Sequence, residues 1–359
     1  MVDSESDNAL AQDAPAPGLL GWAEQGRIPD ALLRQGIRRL CALRLREETA
    51  GGLDAQTARF QQRIDSLRNS PVAIHTDAAN AQHYELPPAF FQQCLGKRLK
   101  YSGCYYPQGN ESLDQAEEAM LKLYGQRAEL LDGQDILELG CGWGSLTLWM
   151  AERYPAANIT AVSNSAPQRE YIEAQCRQRA LFNVKVITCD ANTLELEPLQ
   201  FDRCVSIEMF EHMRNYEVLL GRIAGWLRPR GKLFVHVFAH RTAMYPFETQ
   251  GGDNWMGRHF FTGGLMPASD TLLWFQRDLR IEHRWHVDGT HYQRTANHWL
   301  QHQDQNRDSV MTALTEAYGT DAPLWFQRWR MFWMACAEMF GYANGQEWLV
   351  AHYRFAKPD

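Results

Sequence analysis

The sequence predicts an α/β protein with a mostly parallel sheet that is covered by helices on both faces. Between residues 110 and 240, apolar segments typical of buried strands alternate with helical patterns, as in successive βαβ units. At 140–144, one of these strands turns directly into a helix through three glycines. With 359 residues, of which 45% are hydrophobic, the chain is long enough to bury a full core.

The first 95 residues precede this alternation and divide into two parts. Residues 1–17 are polar and rich in Ala and Pro, which predicts a disordered tail. From 18 to 95 the apolar residues recur at helical spacing, and Gly51-Gly52 separates two helices. The first of these helices carries five arginines, which are Arg34, Arg38, Arg39, Arg44 and Arg46. We interpret them as a solvated face, with a face for a membrane or an acidic partner as the alternative.

The core of the predicted fold spans residues 96–240. Its strands are predicted at 135–140, 158–163, 184–190, 201–208 and 231–239. Its helices are predicted at 145–154, 167–181 and 214–227. Parallel sheets bind ligands beyond the carboxyl ends of their strands, so the glycine loop at 140–144 marks the expected ligand site.

Residues 241–359 differ from this core in composition, because eight of the twelve tryptophans lie there. We expect a substrate cap, together with the last two strands of the sheet near 281–289 and 347–357. Tryptophan faces attract cations, so the cap is a candidate site for a cationic substrate. Ordinary packing of these rings in the core is the alternative.

Charge and cysteine pattern argue against several classes of protein. With a net charge of −7, the chain lacks the basic character of a nucleic-acid binder. No apolar stretch is long enough to cross a bilayer, so no integral membrane contact is expected. The start of the chain lacks the features of a signal peptide, and the eight cysteines include no Cys-x-x-Cys pair. We therefore expect a cytoplasmic protein with reduced thiols and no metal site.

The glycine loop distinguishes between classes of cofactor. Glu138 is followed by Gly140, Gly142 and Gly144, whereas a dinucleotide loop places its third glycine where Ser145 stands. The Lys-Ser/Thr pair of a phosphate-binding P-loop is also missing. The pattern E-x-G-x-G-x-G resembles motif I of S-adenosylmethionine-dependent methyltransferases. The resemblance implies S-adenosylmethionine as the cofactor and the seven-stranded, Rossmann-like fold of class I methyltransferases.

Longer motifs resemble one branch of that superfamily, the cyclopropane fatty acid synthases. They are Y-S-G-C-Y at 101–105, S-N-S-A-P-Q at 163–168, F-D-R-C-V-S-I-E-M-F-E-H-M at 201–213 and H-Y-Q-R-T at 291–295. The runs N-W-M at 254–256, F-F-T-G-G at 260–264 and E-M-F-G-Y at 338–342 are similar to the coclaurine N-methyltransferase-like members. The chain is thus identified as a member of this family from about residue 83 to residue 357.

The resemblance implies a set of cofactor contacts by position. Tyr101 and Ser102 are expected over the methionine end, Glu138 near its amino-acid part, and Gly140, Gly142 and Gly144 beneath the cofactor. Asn164 and Gln168 are expected near the ribose, and Asp190, Ala191 and Asn192 beside the adenine. Ile207 completes the set.

Two chemistries compete within this family. In the lipid branch, methyl transfer to an alkene leaves a carbocation, and a bound bicarbonate removes a proton to close the ring. By resemblance, Glu211, His236 and Tyr292 match three holders of that anion. The fourth holder, a cysteine, corresponds to Gly103, and the neighbouring Cys104 faces another way if the segment is extended. The incomplete bicarbonate site argues against cyclopropanation.

In the other branch the methyl acceptor is an amine, which must lose a proton before it attacks. Glu208, Glu211 and His212 offer carboxylates and an imidazole after the fourth strand. Their i, i+3, i+4 spacing places them on one face if residues 208–213 begin a helix. By resemblance, Glu211 and His212 would hold and deprotonate the amine, and Glu208 would lie near the cofactor or the substrate nitrogen.

The sequence therefore predicts a methyltransferase whose partner is a small amine, with aromatic and benzylic amines as candidates. Methylation or cyclopropanation of an unsaturated acyl chain is the alternative. A cofactor-binding module without catalysis is a third possibility. A homodimer is expected by resemblance.

Overall fold

The computed structural model describes residues 15–74, 86–249 and 254–359, and a seven-stranded sheet forms its centre. Its strands are β1 (Asp135–Leu139), β2 (Asn158–Ser163), β3 (Val184–Thr188), β4 (Phe201–Ile207), β5 (Leu227–His240), β8 (Arg280–Val287) and β9 (Trp348–Ala356). A separate two-stranded pair consists of β6 (Tyr245–Pro246) and β7 (Leu265–Met266). The strand order is β3-β2-β1-β4-β5-β9-β8, and only β9 runs antiparallel to its neighbours. The predicted α/β class with a mostly parallel sheet is confirmed.

Twelve α-helices occur in the described ranges. The first six are α1 (Gly18–Glu24), α2 (Asp30–Thr49), α3 (Gly52–Arg68), α4 (Pro88–Cys94), α5 (Leu113–Arg127) and α6 (Ser145–Arg153). The others are α7 (Ala166–Gln178), α8 (Tyr216–Trp226), α9 (Trp255–His259), α10 (Gly289–Gln305), α11 (Arg307–Tyr318) and α12 (Ala322–Phe340). Within these ranges, none of the helices combines the length and the apolar character needed to cross a membrane.

Capping side chains explain where several helices begin. The Ser112 side chain accepts from the N–H of Gln115, whose own side chain bonds back to Ser112, so α5 starts with a capping box. Ser165 caps α7 in the same way through the N–H of Gln168. Asn215 accepts from the N–H of Val218, so α8 begins at 216 rather than at the predicted 214.

The loops after β1 and β4 lie side by side at the point where the strand order reverses. Leu139 of β1 pairs with Ser206 of β4, and the Ser206 hydroxyl donates to the Leu139 carbonyl at 2.9 Å. The glycine loop and the segment beginning at Glu208 therefore emerge next to each other, where such sheets bind ligands.

The C-terminal part contains a helical layer that the sequence did not predict. Helices α10, α11 and α12 lie between the last two strands, and their tryptophans form a buried cluster. The Trp333 ring lies 5.1 Å from Trp299 and 5.0 Å from Trp329. Most of the tryptophans at 241–359 thus pack in the core, the alternative considered for them.

Charged side chains of helix α2 bind to this helical layer. Arg34 donates to a Glu338 carboxylate oxygen at 2.8 Å and to the Asn297 side-chain oxygen at 2.9 Å. Arg38 contacts the other Glu338 oxygen. The interpretation of these arginines as a solvated face agrees with the exposure of Arg39 and Arg46, whereas Arg34 and Arg38 bind Glu338 on α12. Residues 1–14 of the expected tail lie outside the described residues.

Candidate active site

A cavity opens at the carboxyl ends of β1, β2 and β4 and holds about 1210 Å³ of empty space, part of it open to solvent. Most of the residues expected to contact the cofactor line it. They are Tyr101, Ser102, Glu138, Gly140, Gly142, Asn164, Gln168, Ala191 and Ile207. We call this space the cofactor cavity.

Two of the three glycines form the floor of the cofactor cavity. Gly140 has φ +78°, and a Cβ there would stand 2.7 Å from Met209. Gly142 has φ +52° and open space in the direction of a Cβ, so a ligand can approach the bare backbone. Gly144 does not line the cavity, in contrast to the expectation. Its Cβ would stand 2.6 Å from Ile172, so this glycine allows α6 and α7 to pack closely.

Glu138 presents a buried carboxyl group to the cofactor cavity. Burial raises its pKa to about 8, and a hydrogen bond of 2.5 Å from the Thr147 hydroxyl only partly offsets this effect. A ligand with a cationic group would stabilise the ionised form. The ammonium of S-adenosylmethionine supplies such a charge.

Gln168 carries an unused donor. The Ser163 hydroxyl donates to the Gln168 side-chain oxygen at 2.6 Å, which orients the amide. Its nitrogen Nε2 is buried without a hydrogen-bond partner among the described residues. Because Gln168 lines the cavity, this nitrogen can donate to an oxygen or ring nitrogen of a bound ligand. The residues present therefore fit S-adenosylmethionine.

Asp190 and Asn192 do not line the cavity, although both were expected beside the adenine. The Asp190 carboxylate accepts from the Asn192 N–H at 2.6 Å. The Asn192 amide bonds the N–H and the carbonyl of Ala73 at 3.0 and 3.2 Å. The Asn192 side chain therefore holds the chain near residue 73, and the Asp190 carboxylate bonds back to the Asn192 backbone. Only Ala191 between them lines the cavity.

A second, apolar cavity of about 660 Å³ adjoins the first, and we call it the aromatic cavity. Its walls are Phe238, Phe247, Met256, Phe261, Tyr292, Trp299, Phe332, Cys336, Met339 and Phe340. Tyr101, Glu208 and His212 line both cavities. A group transferred from one cavity to the other would pass these three side chains.

Three hydrogen-bonding groups surround the Glu208 carboxyl group at this junction. The Gly103 N–H at 2.9 Å and His236 Nε2 at 3.0 Å contact its Oε1, and the Tyr292 hydroxyl donates to its Oε2 at 2.8 Å. Burial raises the pKa of Glu208 to about 7, although the Lys100 ammonium and these donors favour the carboxylate. Glu208 therefore changes its charge near neutral pH, as a general base should.

His236 lines neither cavity but bonds directly to Glu208. It is fully buried, and burial together with the Lys100 and Arg127 cations lowers its pKa well below the usual value. Its Nδ1 lies 2.9 Å from both the Tyr124 hydroxyl and His352 Nε2. His236 is thus a neutral hydrogen-bonding residue behind the carboxylate.

Glu211 lies outside both cavities. Its Oε1 accepts from the Phe238 N–H at 2.8 Å, and its Oε2 is buried without a partner among the described residues. Burial, together with the nearby Glu208 carboxylate, raises its pKa well above the usual value and favours its neutral form. The two carboxyl groups thus lie in different environments, which is typical of a pair with separate roles.

The expected common helical face of Glu208, Glu211 and His212 does not form. Residues 210–212 make a single 3₁₀ turn, and Glu208 has φ +48°, outside the helical region. The turn directs Glu211 inwards. His212 instead borders both cavities, where its ring stacks on Phe261 with centroids 5.0 Å apart.

Sequence reasoning missed Lys100, which lines the cofactor cavity beneath the Y-S motif. Its Nζ donates to the Ser102 hydroxyl and the Gly103 carbonyl, both at 2.6 Å, and lies over the Tyr124 ring. Burial lowers its pKa, an effect that nearby Cys104 and Glu208 oppose. A lysine directly before a cofactor motif was the available signal.

Comparisons with known proteins agree with this geometry. The family model described as mycolic acid cyclopropane synthetase matches residues 73–348. (S)-Coclaurine N-methyltransferase of Thalictrum flavum subsp. glaucum is 37% identical over 344 residues, which cover 94% of this chain and 95% of that protein. Pavine N-methyltransferase of the same plant is 33% identical, with 94% and 96% covered. Cyclopropane-fatty-acyl-phospholipid synthase of Escherichia coli (strain K12) is 26% identical, with 76% and 67% covered.

Solved structures show the same relationship. The crystal structure of coclaurine N-methyltransferase bound to N-methylheliamine and SAH has a TM-score of 0.90 and 38% identity, covering 94% of this chain and 98% of that one. The cyclopropane synthase MmaA2 from Mycobacterium tuberculosis shares the fold, with a TM-score of 0.68 and 20% identity over 79% of this chain and 99% of that one. The chain belongs to the mycolic acid cyclopropane synthetase family and is an S-adenosylmethionine-dependent methyltransferase.

Proposed function

We propose that this enzyme transfers a methyl group to the nitrogen of a small aromatic amine, with Glu208 as the carboxylate that holds the amine and accepts its proton. The observation that carries this proposal is the position of Glu208 at the junction of the two cavities. A cationic nitrogen placed there would meet an ionisable carboxyl group on the path of the methyl group.

The partners of Glu208 support an amine over an alkene. His236, Tyr292 and position 103 are three of the places that, by resemblance, hold bicarbonate in the lipid branch. Here the Gly103 N–H and the Tyr292 hydroxyl donate to the Glu208 carboxylate, and His236 Nε2 lies 3.0 Å from it, so the protein's own side chain engages the groups that the anion would need. A carboxylate fixed at this point suits a substrate that arrives as a cation.

The aromatic cavity supports a flat, apolar substrate body. Phe238, Phe261 and Phe340 are among its walls, and the Tyr292 ring stacks on Phe340 at 4.1 Å. Ring faces of this kind attract both aromatic groups and a neighbouring ammonium. The names of the similar proteins agree, since coclaurine and pavine N-methyltransferases are among the relatives.

The chemical steps follow from these groups. When bound, S-adenosylmethionine supplies an electrophilic methyl group on a positively charged sulfur. The substrate ammonium gives one N–H proton to Glu208, and His212 at the same junction is the second candidate acceptor. The freed lone pair forms the N–C bond as the C–S bond breaks in line, and the electron pair of that bond stays on sulfur. Tyr101 and the aromatic walls exclude water from the reacting atoms.

A labelled-methyl assay tests the substrate class. The enzyme is incubated with methyl-labelled S-adenosylmethionine and either tetrahydroisoquinoline or vesicles of monounsaturated phospholipid. We expect label in the amine, with N-methyl product identified by mass spectrometry, and none in the lipid. Label in the lipid alone would overturn the proposal in favour of the acyl-chain alternative.

The homodimer and the cytoplasmic location remain predictions. Sedimentation equilibrium of the full chain tests the first: a mass near twice 41.3 kDa is expected, and a mass of 41.3 kDa would contradict it.

A further inference from the structure

A row of hydrogen bonds leads from Glu208 away from both cavities. His236 Nε2 lies 3.0 Å from Glu208 Oε1, and His236 Nδ1 lies 2.9 Å from His352 Nε2. The row ends where Arg127 Nη1 meets His352 Nδ1 at 2.6 Å. Neither Arg127 nor His352 lines a cavity or belongs to a motif that pointed to the site.

The sheet register makes this row possible. His236 on β5 and His352 on β9 are direct cross-strand partners, so their side chains lie on the same face of the sheet. Both are fully buried, and their ring centroids are 4.8 Å apart. Arg127 is the last residue of α5, and its guanidinium lies over the Trp285 ring, 5.0 Å from its centroid.

The direction of every hydrogen bond follows from Arg127, because a guanidinium has only donors. His352 Nδ1 must therefore accept. Burial lowers the pKa of both histidines well below the usual value, so each is neutral and carries one proton. The proton of His352 then lies on Nε2 and is donated to His236 Nδ1. The proton of His236 is left on Nε2, where it is donated to Glu208.

We infer that Arg127 and His352 are positioning residues that hold His236 in its Nε2–H tautomer, so that His236 donates to Glu208 and keeps it a carboxylate. In the other tautomer, an imidazole lone pair would face the carboxylate oxygen at 3.0 Å, and Glu208 would have to be protonated to make that contact. Arg127 thus sets the charge of Glu208, although two imidazole rings lie between them. The kinetic consequence rests on the proposed function of Glu208, whereas the tautomer does not.

The other titratable groups around Glu208 come from separate elements. They are Lys100, Cys104, Tyr124, Glu211, His212, Tyr292 and Cys336. Among these groups only Tyr124 feels the Arg127 charge, so a shift in the titration of Glu208 is interpreted together with the histidine spectra.

Nitrogen NMR of the wild-type chain tests the tautomer directly. The protein is labelled with ¹⁵N at its 12 histidines, and spectra of His236→Gln and His352→Gln assign the two signals. We expect both histidines to be neutral Nε2–H tautomers in the wild type. A His236 signal of the Nδ1–H form would overturn the inference without any variant at Arg127.

Variants of Arg127 test the cause. Arg127→Met removes the donor, and we expect the Nδ1–H form to appear at His352 or His236; Arg127→Lys keeps a donor and should retain the wild-type spectrum. An unchanged spectrum in a folded Arg127→Met protein would exclude Arg127 as the cause. Arg153→Met is the matched control, since Arg153 also lies over a tryptophan, Trp149, at 5.7 Å. We expect it to leave both histidine signals unchanged.

The pH dependence of kcat gives the kinetic readout. Arg127→Met should move the acidic limb upwards by about one pH unit, the size of one lost charge-assisted hydrogen bond, while KM for S-adenosylmethionine changes less than about threefold. If the tautomer changes but the acidic limb of the pH profile does not move, only the proposed role of Glu208 is contradicted. An unmoved limb with an unchanged tautomer would contradict the inference about Arg127 and His352.

Discussion

The cofactor cavity and the aromatic cavity are built in different ways. Many residues that line the cofactor cavity come in short runs, such as 138–143 and 162–164, at the ends of adjacent parallel strands. The partners of Glu208 come from distant parts of the chain, since Gly103 is 105 residues away and Tyr292 is 84 residues away. A local motif can specify the first kind of site, whereas only the packed sheet and its helical layer can assemble the second.

The two cavities also differ in their electrostatics. The cofactor cavity combines apolar side chains with bare backbone and with polar or charged groups such as Gln168, Glu138 and Lys100. The aromatic cavity is lined almost wholly by rings and thioethers, with one ionisable carboxyl group at its edge. Charges interact more strongly where water is excluded, so one altered hydrogen bond should have its largest effect on the substrate side.

The largest expected effect on binding is on the cofactor side. Gly142→Asp should weaken binding of S-adenosylhomocysteine roughly 100-fold or more by calorimetry, because its carboxylate would enter the cavity close to buried Glu138. Gly142→Ala is the control. A side chain at φ +52° costs about 1–2 kcal/mol in both variants, and alanine adds no charge. Equal affinity of the two variants would show that this backbone does not contact the cofactor.

Glu208→Gln should impair turnover on the substrate side without impairing cofactor binding. It removes the proton acceptor, so kcat should fall by roughly 10²- to 10⁴-fold in the amine methylation assay, while the affinity for S-adenosylhomocysteine stays within about threefold. Glu170→Gln, at an exposed position of α7, is the matched control and should leave kcat unchanged. Full turnover in Glu208→Gln would remove Glu208 from the reaction.

Tyr292→Phe should change the pH profile more than the maximal rate. The hydroxyl donates to the Glu208 carboxylate, so its loss raises the pKa of Glu208, which is about 7 in the intact site. Because the carboxylate is the active form, activity should be lost at a pH about one unit higher than in the wild type. The stacking on Phe340 is kept by phenylalanine. A limb that moves to lower pH, or not at all, would contradict this role.

Glu211→Gln should have the smallest effect, a change in kcat of about threefold or less. Glu211 lies outside both cavities, burial raises its pKa, and a glutamine can still accept the Phe238 N–H. Steady-state kinetics beside Glu208→Gln provide the test. A loss as large as that of Glu208→Gln would restore Glu211 to the catalytic role that its motif predicts.

The sequence was most informative where chemistry follows from neighbouring residues. The alternation of strands and helices, the E-x-G-x-G-x-G turn and the S-N-S-A-P-Q run predicted the sheet and most of the cofactor cavity. Gly144, Asp190 and Asn192 lie outside the cavity, since a motif states which residues are near a ligand but not which ones support the backbone behind it.

The substrate side was less predictable, because a one-residue difference in a turn decides where a side chain points. The spacing of Glu208, Glu211 and His212 suggested one shared face, and the 3₁₀ turn at 210–212 buries Glu211 instead. His352 carried no spacing signal at all, and Lys100 carried only its position directly before the Y-S motif. The role of His352 comes from contacts with Arg127 and His236, which are distant in the chain.

By itself, the sequence determined the fold class, the family and the cofactor, because hydrophobic periodicity and tight glycine turns are properties of short segments. Only the tertiary structure decided which carboxyl group lies at the junction of the two cavities and which is buried outside them. The physical reason is that charge state depends on burial and on donors from other strands and helices, and neither is specified until the chain has packed.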